Sequence, residues 1–208
     1  MASILLGIPA FDGSVKLKCA ESVGNAIEYA DSEGLLDRVV HKYAVGYQVA
    51  RARNFMAQWA LDAGVDYLWM VDSDIIVPEK GLAGLISHDL EVCLGWYIRG
   101  SSNCYQTNMV KPGSDNSNCY NGQMLVIEPS VGKEALLPVK YGGMGCALIS
   151  TEVFRRFPRP WFEYHDHADG SGFSEDYDFC RKCAQHGVKV WLDAKVACGH
   201  IQDRVLEV

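Results

Sequence analysis

Two carboxylates spaced i, i+2, Asp72 and Asp74, close the mostly apolar run Tyr67-Leu68-Trp69-Met70-Val71 and are followed by Ile75-Ile76-Val77-Pro78. Carboxylates are costly to bury unpaired, so a cation or a basic group is expected to meet them there. The tripeptide Asp72-Ser73-Asp74 alone also fits a polar strand end that caps the next helix. A second acidic pair, Glu175-Asp176, follows Ser174 at the start of a helical pattern, where acids also complement the helix dipole. His200 comes after the last apolar segment and can be read as a metal ligand or as a strand-end histidine. Hard oxygen ligands suit Mg or Mn, and Mn also accepts imidazole, so a carboxylate with a histidine points slightly toward Mn.

The elements that must hold these groups alternate. Residues 3–8 read as a buried strand ended by Gly7, Pro9 and the Phe11-Asp12-Gly13 turn, and residues 16–30 as a helix stopped by Gly34. A strand over 38–45, a helix over 47–63 ended by Gly64, a strand over 66–71, a short helix over 80–87 and a strand over 91–98 follow. The alternation predicts an α/β protein with a mostly parallel central sheet covered on both faces. Ligands of such sheets bind at the carboxyl ends of the strands, where Asp72 and Asp74 fall. Residues 100–122, rich in Ser, Asn and Gly, predict an irregular loop. Further strands are expected over 123–128 and 144–149, antiparallel, with Gly142-Gly143 and Gly145 allowing close approach. A helix over 150–157 closed by Pro158, a polar stretch over 163–172 that cannot pack a core, a helix over 174–186 with Ser174 as N-cap, and strands over 188–192 and 196–198 complete the reading.

A chain of 208 residues with 49% hydrophobic and 11% aromatic content can bury a sizeable core as one domain, with the loop over 100–122 between a first half (1–99) and a second half (123–208). The net charge of -7 gives no electrostatic footprint for wrapping duplex nucleic acid. No stretch reaches the roughly 18 consecutive apolar residues of a membrane span and the first residues lack a basic flank, so a soluble cytoplasmic protein with reduced cysteines is expected.

Four features, Asp72-Ser73-Asp74, the Ala52-Arg53-Asn54 step, Glu175-Asp176 and His200, resemble in order and spacing the GT-A glycosyltransferases, especially the small enzymes grouped with family 2. The most specific segment runs from Phe173-Ser174-Glu175-Asp176-Tyr177-Asp178-Phe179-Cys180-Arg181 through Gly187 and Trp191-Leu192-Asp193 to His200. The resemblance implies a metal-dependent glycosyltransferase that moves a sugar from a nucleotide-diphosphate donor to a hydroxyl acceptor. It implies Asp74 and His200 as metal ligands, with Asp72 acting through water or on the ribose, and Mn or Mg as cofactor. Pro9, Ala10, Asp12, Arg53, Asp72 and Ser73 would contact the nucleotide. Asp176 with Glu175 would be catalytic, Asp176 as general base if the reaction inverts and as an orienting group if it retains. Gly143, Trp161 and Tyr177 would face sugar and acceptor.

Each residue also carries a plainer reading. Arg53 can be a solvated arginine, Asp12 a simple Asp-Gly turn, and Trp161, Phe162 and Tyr164 a packing cluster instead of an acceptor platform. His165 and His167 could ligate metal by their i, i+2 spacing. Cys180 and Cys183 with Cys198 and His200 could form a zinc site, although i, i+3 cysteines on a helix commonly just pack. Two other functions compete: a sugar-nucleotide nucleotidyltransferase, which needs a basic phosphate loop that residues 7–13 lack, and a non-catalytic nucleotide-sugar-binding domain, which needs no acidic pair. The acceptor can be a glycan, a small molecule or a modified base in a nucleic acid.

Overall fold

The computed structural model describes residues 1–98, 109, 136–166 and 172–201. The loop expected over 100–122, apart from Met109, the strand expected over 123–128 and His167 lie outside the described residues. The chain begins with β1 (Ala2–Ala10), α1 (Leu17–Ser32), β2 (Leu36–Val45), α2 (Val49–Ala63) and β3 (Tyr67–Val71). It continues through β4 (Ile75–Ile76), α3 (Gly81–Ser87), β5 (Val92–Trp96), β6 (Leu136–Val139), β7 (Cys146–Ser150) and α4 (Val153–Arg156). The hairpin β8 (His165–Asp166) and β9 (Gly172–Phe173), then α5 (Glu175–Gln185), β10 (Val190–Ala197) and β11 (Gly199–His200), complete it.

Seven strands form one sheet in the order β2-β1-β3-β7-β5-β10-β6. Strands β1, β2, β3, β5 and β10 share one direction, and β7 and β6 run against them. Alternate side chains of each central strand enter opposite layers, as a pleated strand requires. From β3, Leu68 and Met70 join the core beneath α2, α4 and α5, while Trp69 and Val71 join the core beneath α1 and α3. All four are fully buried, which explains why this strand reads as a continuous apolar run instead of an alternating one. Burying each such side chain contributes roughly 1.5–3 kcal/mol. Gly7 of β1 lets α2 close on the sheet, because a Cβ there would stand 2.6 Å from Met56 Sδ.

The expected helix stops hold: Gly64 closes α2 in the left-handed conformation at φ 60° and Gly187 follows α5 at φ 73°. Two expectations need correction, and two features were not expected. The helix expected over 150–157 is only the single turn α4, and the two terminal strands are one bulged strand, β10, whose pairing with β5 shifts between Leu192 and Ala197. Strand β6 was not expected, since four residues containing Pro138 give a weak signal; the proline is tolerated because β6 is an edge strand. The two-residue pair β4 and β11 was equally illegible, yet it brings His200 opposite Ile75, just after Asp74. No described helix is long and apolar enough to cross a membrane.

Candidate active site

The site forms where β1 and β3 end, at the carboxyl edge of the sheet. After β3 the chain turns tightly, with the Ile75 N–H donating to Asp72 O at 3.1 Å. Three neighbours fix this turn: Gly145 O accepts from Asp72 N–H at 3.0 Å, Ser73 O from Lys16 N–H at 2.9 Å, and Asp74 O from Ile201 N–H at 2.9 Å. Gly145 is small for a reason, since a Cβ there would meet the Tyr97 ring at 2.8 Å.

The turn sends its two carboxylates to different partners. Asp72 faces inward, where both its oxygens accept from Arg53 Nη2, at 3.1 and 3.2 Å. Arg53, projecting from α2, is only 3% exposed and also places Nη1 3.0 Å from Glu175 Oε1, an ion pair without hydrogen-bond alignment. Burial opposes the charge on this guanidinium, but Asp72 and Glu175 outweigh it and hold Arg53 firmly protonated, above its usual range. Arg53 therefore ties the end of β3 to the start of α5, joining Asp72 to Glu175, 103 positions apart in sequence. It is not the solvated arginine of the plainer reading.

Asp74 faces His200, with Nε2 3.4 Å from Oδ2. His200 Nδ1 lies 3.0 Å from the Ile98 carbonyl, which can only accept, so Nδ1 is the donor there and Nε2 is the ring nitrogen that faces Asp74. A carboxylate facing an imidazole nitrogen can hold a shared cation when the imidazole is neutral, and among the described residues the carboxylates Asp72, Asp74, Glu175 and Asp176 gather around the Arg53 guanidinium. The donor set thus fits a divalent metal held by Asp74 and His200. Direct ligation by Asp72 would compete with Arg53.

At the start of α5, Ser174 occupies the N-cap position, but its hydroxyl bonds to the Asp176 carboxylate instead of a backbone amide. Asp176 also accepts from Tyr177 N–H at 2.9 Å. Burial pushes the Asp176 carboxyl up, the Glu175 charge adds to this, and Arg53 with the Ser174 and Tyr177 bonds pulls back, leaving it raised to about 6. Burial, and then the Glu175 charge, suppresses ionisation of the Tyr164 hydroxyl.

The other sequence-predicted residues are distributed as follows. Pro9 and Ala10 end β1 beside the site, and Gly143 lies buried in the approach to β7. Asp12 closes its own turn, accepting from Ser14 N–H at 3.0 Å and Ser14 Oγ at 2.7 Å, contacts that lower its pKa. Tyr177 stacks on Tyr141 with ring centroids 5.1 Å apart. Trp161 is 3% exposed and its indole N–H donates to Phe154 O and Phe157 O, so it packs in the core and offers no open face.

The sequence marks Asn54 only as part of the Ala52-Arg53-Asn54 step and does not show its structural role. Its amide donates to Ala50 O at 2.8 Å and Phe162 O at 2.7 Å, while its oxygen accepts from Trp161 N–H at 2.8 Å. This clamp seats the segment that carries Tyr164. Asn54→Ala is expected to cost roughly 1–3 kcal/mol for each buried group left unpaired, seen as a lower denaturant midpoint at unchanged slope.

Cys180 and Cys183 are buried thiols, both pushed upward in pKa first by burial, and they lie in the core beneath α5. His165 does meet potential ligands, at 3.1 Å from Asp178 Oδ1 and 3.6 Å from Glu163 Oε2. Asp178, however, already receives Arg181 at 2.7 Å and Lys182 at 2.6 Å, so two side-chain cations neutralise that cluster. A groove of about 480 Å³ opens at the opposite edge of the sheet, against Leu35, Tyr67 and Thr151, away from all of these groups.

No protein-family profile matches this chain, and no curated protein matches it in sequence. Solved structures do match. The chain superposes on A197 from STIV with a TM-score of 0.60 at 17% identity, covering 98% of this chain and 87% of that one. It superposes on GalNAc-T7, a GT-A glycosyltransferase solved with UDP, GalNAc and Mn2+, with a TM-score of 0.56 at 16% identity. The fold is GT-A. The match to GalNAc-T7 covers 97% of this chain but 44% of that one, so the present chain spans less than half of its length. Within the GT-A fold, the turn after β3, the start of α5 and β11 converge on one edge of the sheet, and they carry Asp72, Asp74, Glu175, Asp176 and His200.

Proposed function

We propose that this protein is a metal-dependent glycosyltransferase that uses a nucleotide-diphosphate sugar. The observation that carries the reading is the facing of Asp74 and His200, 3.4 Å apart, on the same sheet edge as the Arg53-bridged acidic pair. A divalent cation held by Asp74 and His200 would neutralise the charge that develops on a departing diphosphate. Mn and Mg both suit that donor set. Arg53 keeps Asp72 and Glu175 in place, leaving Asp72 its remaining acceptor capacity for water or a ribose hydroxyl. Pro9, Ala10, Asp12 and Ser73 border the space for the nucleoside, and Gly143 and Tyr177 border the space for the sugar.

Asp176 is the general base. A raised pKa of about 6 makes it ionised at neutral pH yet basic enough to take a proton as it is released. The acceptor hydroxyl loses its proton to Asp176 as its oxygen bonds to the anomeric carbon, and the bond from that carbon to the diphosphate oxygen breaks with its electron pair leaving on the diphosphate. That sequence is a single inverting displacement. The GT-A neighbour solved with UDP, GalNAc and Mn2+ supports the substrate class at the level of fold.

The test is product analysis with sugar nucleotides and Mn or Mg. Slow release of nucleoside diphosphate, dependent on metal and reduced at least about 100-fold in Asp74→Ala, is expected. Release of pyrophosphate would establish the nucleotidyltransferase reading instead, and binding without turnover the non-catalytic one.

A further inference from the structure

Of the six large apolar side chains that stand exposed among the described residues, four gather at one corner: Phe11, Leu17, Tyr43 and Val45, between 51% and 73% exposed. The fold puts them there. Strands β1 and β2 pair in parallel with Ile8 beside Tyr43 and Ala10 beside Val45, so Tyr43 and Val45 share the sheet face of Ile8, yet they lie on the edge strand and stay open. The turn after β1 closes against them. Gly46 N–H donates to Phe11 O at 3.1 Å, and a Cβ at Gly13 would stand 3.6 Å from Val45 Cγ1. Leu17 opens α1 four residues further on. Apolar chains clustered in the open mark a surface that something covers.

The surrounding charge selects the cover. Residues 11–18 and 41–46 carry three lysines, one histidine and a single acid, Asp12, in a chain of net charge -7. Lys16, Lys18 and Lys42 are all exposed. A second copy seated on the same corner would set lysines against lysines, because a two-fold contact repeats one patch on both sides. An anionic lipid surface meets both features: its headgroups attract the lysines, and Phe11 and Leu17, which protrude from a turn and a helix start instead of lining a cleft, reach the acyl boundary.

We propose that this corner docks the protein on an anionic lipid bilayer as a peripheral contact. The inference stands apart from the transferase reading. Lys16 N–H donates to Ser73 O at 2.9 Å, so a docked bilayer lies against the sheet edge that carries Asp72 and Asp74.

The test is sedimentation of the full chain with vesicles of phosphatidylcholine alone, and with about one quarter phosphatidylglycerol, at about 0.1 M and about 0.5 M salt. The expected result is binding to the anionic vesicles at the lower salt, weaker by at least about tenfold on neutral vesicles or at the higher salt. The double variant Leu17→Ser, Tyr43→Ser and the double variant Lys18→Gln, Lys42→Gln should each weaken it about tenfold or more. All four positions are exposed, and melting of the variants checks that they fold; Leu17→Ser alone carries the apolar test if the pair does not. No binding of the parent, equal binding to neutral and anionic vesicles, or unchanged binding of the apolar variant would overturn the proposal. A parent that elutes as a dimer and becomes a monomer in Leu17→Ser, Tyr43→Ser would give the corner to a second copy and overturn it equally.

Discussion

Replacing Arg53 by Met is expected to destabilise the protein by about 3–5 kcal/mol, the cost of leaving partners of a buried ion pair uncompensated. The guanidinium is 3% exposed and lies within 3.2 Å of carboxylate oxygens from both Asp72 and Glu175. Its removal strands Glu175, itself 5% exposed, without its counter-ion. Urea unfolding at pH 7 should show a lower midpoint at constant slope. Arg53→Lys should recover only part of the loss, because one ammonium cannot match a fork that reaches two carboxylates. The double variant Arg53→Met, Glu175→Gln should be more stable than Arg53→Met alone, since the stranded charge is gone. Arg53→Met with parental stability would show that the bridge is not the electrostatic joint described here.

The largest expected effect on activity belongs to Asp176. Asp176→Asn preserves size but cannot accept the acceptor proton, and transfer should fall about 10²–10⁴-fold, the usual contribution of a positioned base. The parent rate should rise with pH through about 6 and then level, and the Asn variant should lack that limb. Stability moves in the opposite direction. Because folding raises this carboxyl from 3.8 to about 6, the folded chain binds the extra proton between those values. The associated stabilisation is complete below the unfolded value and is lost as pH rises through the folded one. Asp176→Asn, neutral throughout, should therefore lose less stability than the parent between those pH values, measured by thermal unfolding across the range. A parent-like transfer rate in the Asn variant would contradict the assignment.

The strands and helices of the first half were legible because burial and period coincide there. Residues 67–71 are apolar on both faces since both faces are covered, and Gly64 and Gly187 adopt the left-handed geometry that ends a helix. Legibility failed where long-range contact decides local structure. β4 and β11 are two residues each and exist only because they pair, and β6 takes its shape from β10. In the site, the acidic residues and His200 were visible as residue types, but their contacts were not. The resemblance sets Asp74 with His200 and gives Asp72 a different role, but nothing in the sequence shows that Arg53 is the partner that holds Asp72. Trp161 reads from sequence either as an acceptor platform or as a packing residue, and two core carbonyls that accept its indole N–H mark it as packing. Asn54 drew notice only as a neighbour of Arg53, and a polar residue at an otherwise apolar helix position was the one signal of its clamp.

Calorimetric titration of a nucleoside diphosphate into the protein, with Mn present and again with excess chelator, tests the central claim most directly. The Asp74 and His200 geometry predicts binding that requires the metal and is lost in Asp74→Ala and His200→Ala while both variants remain folded. Equal affinity in the presence of chelator, or full metal-dependent affinity in Asp74→Ala, would contradict it.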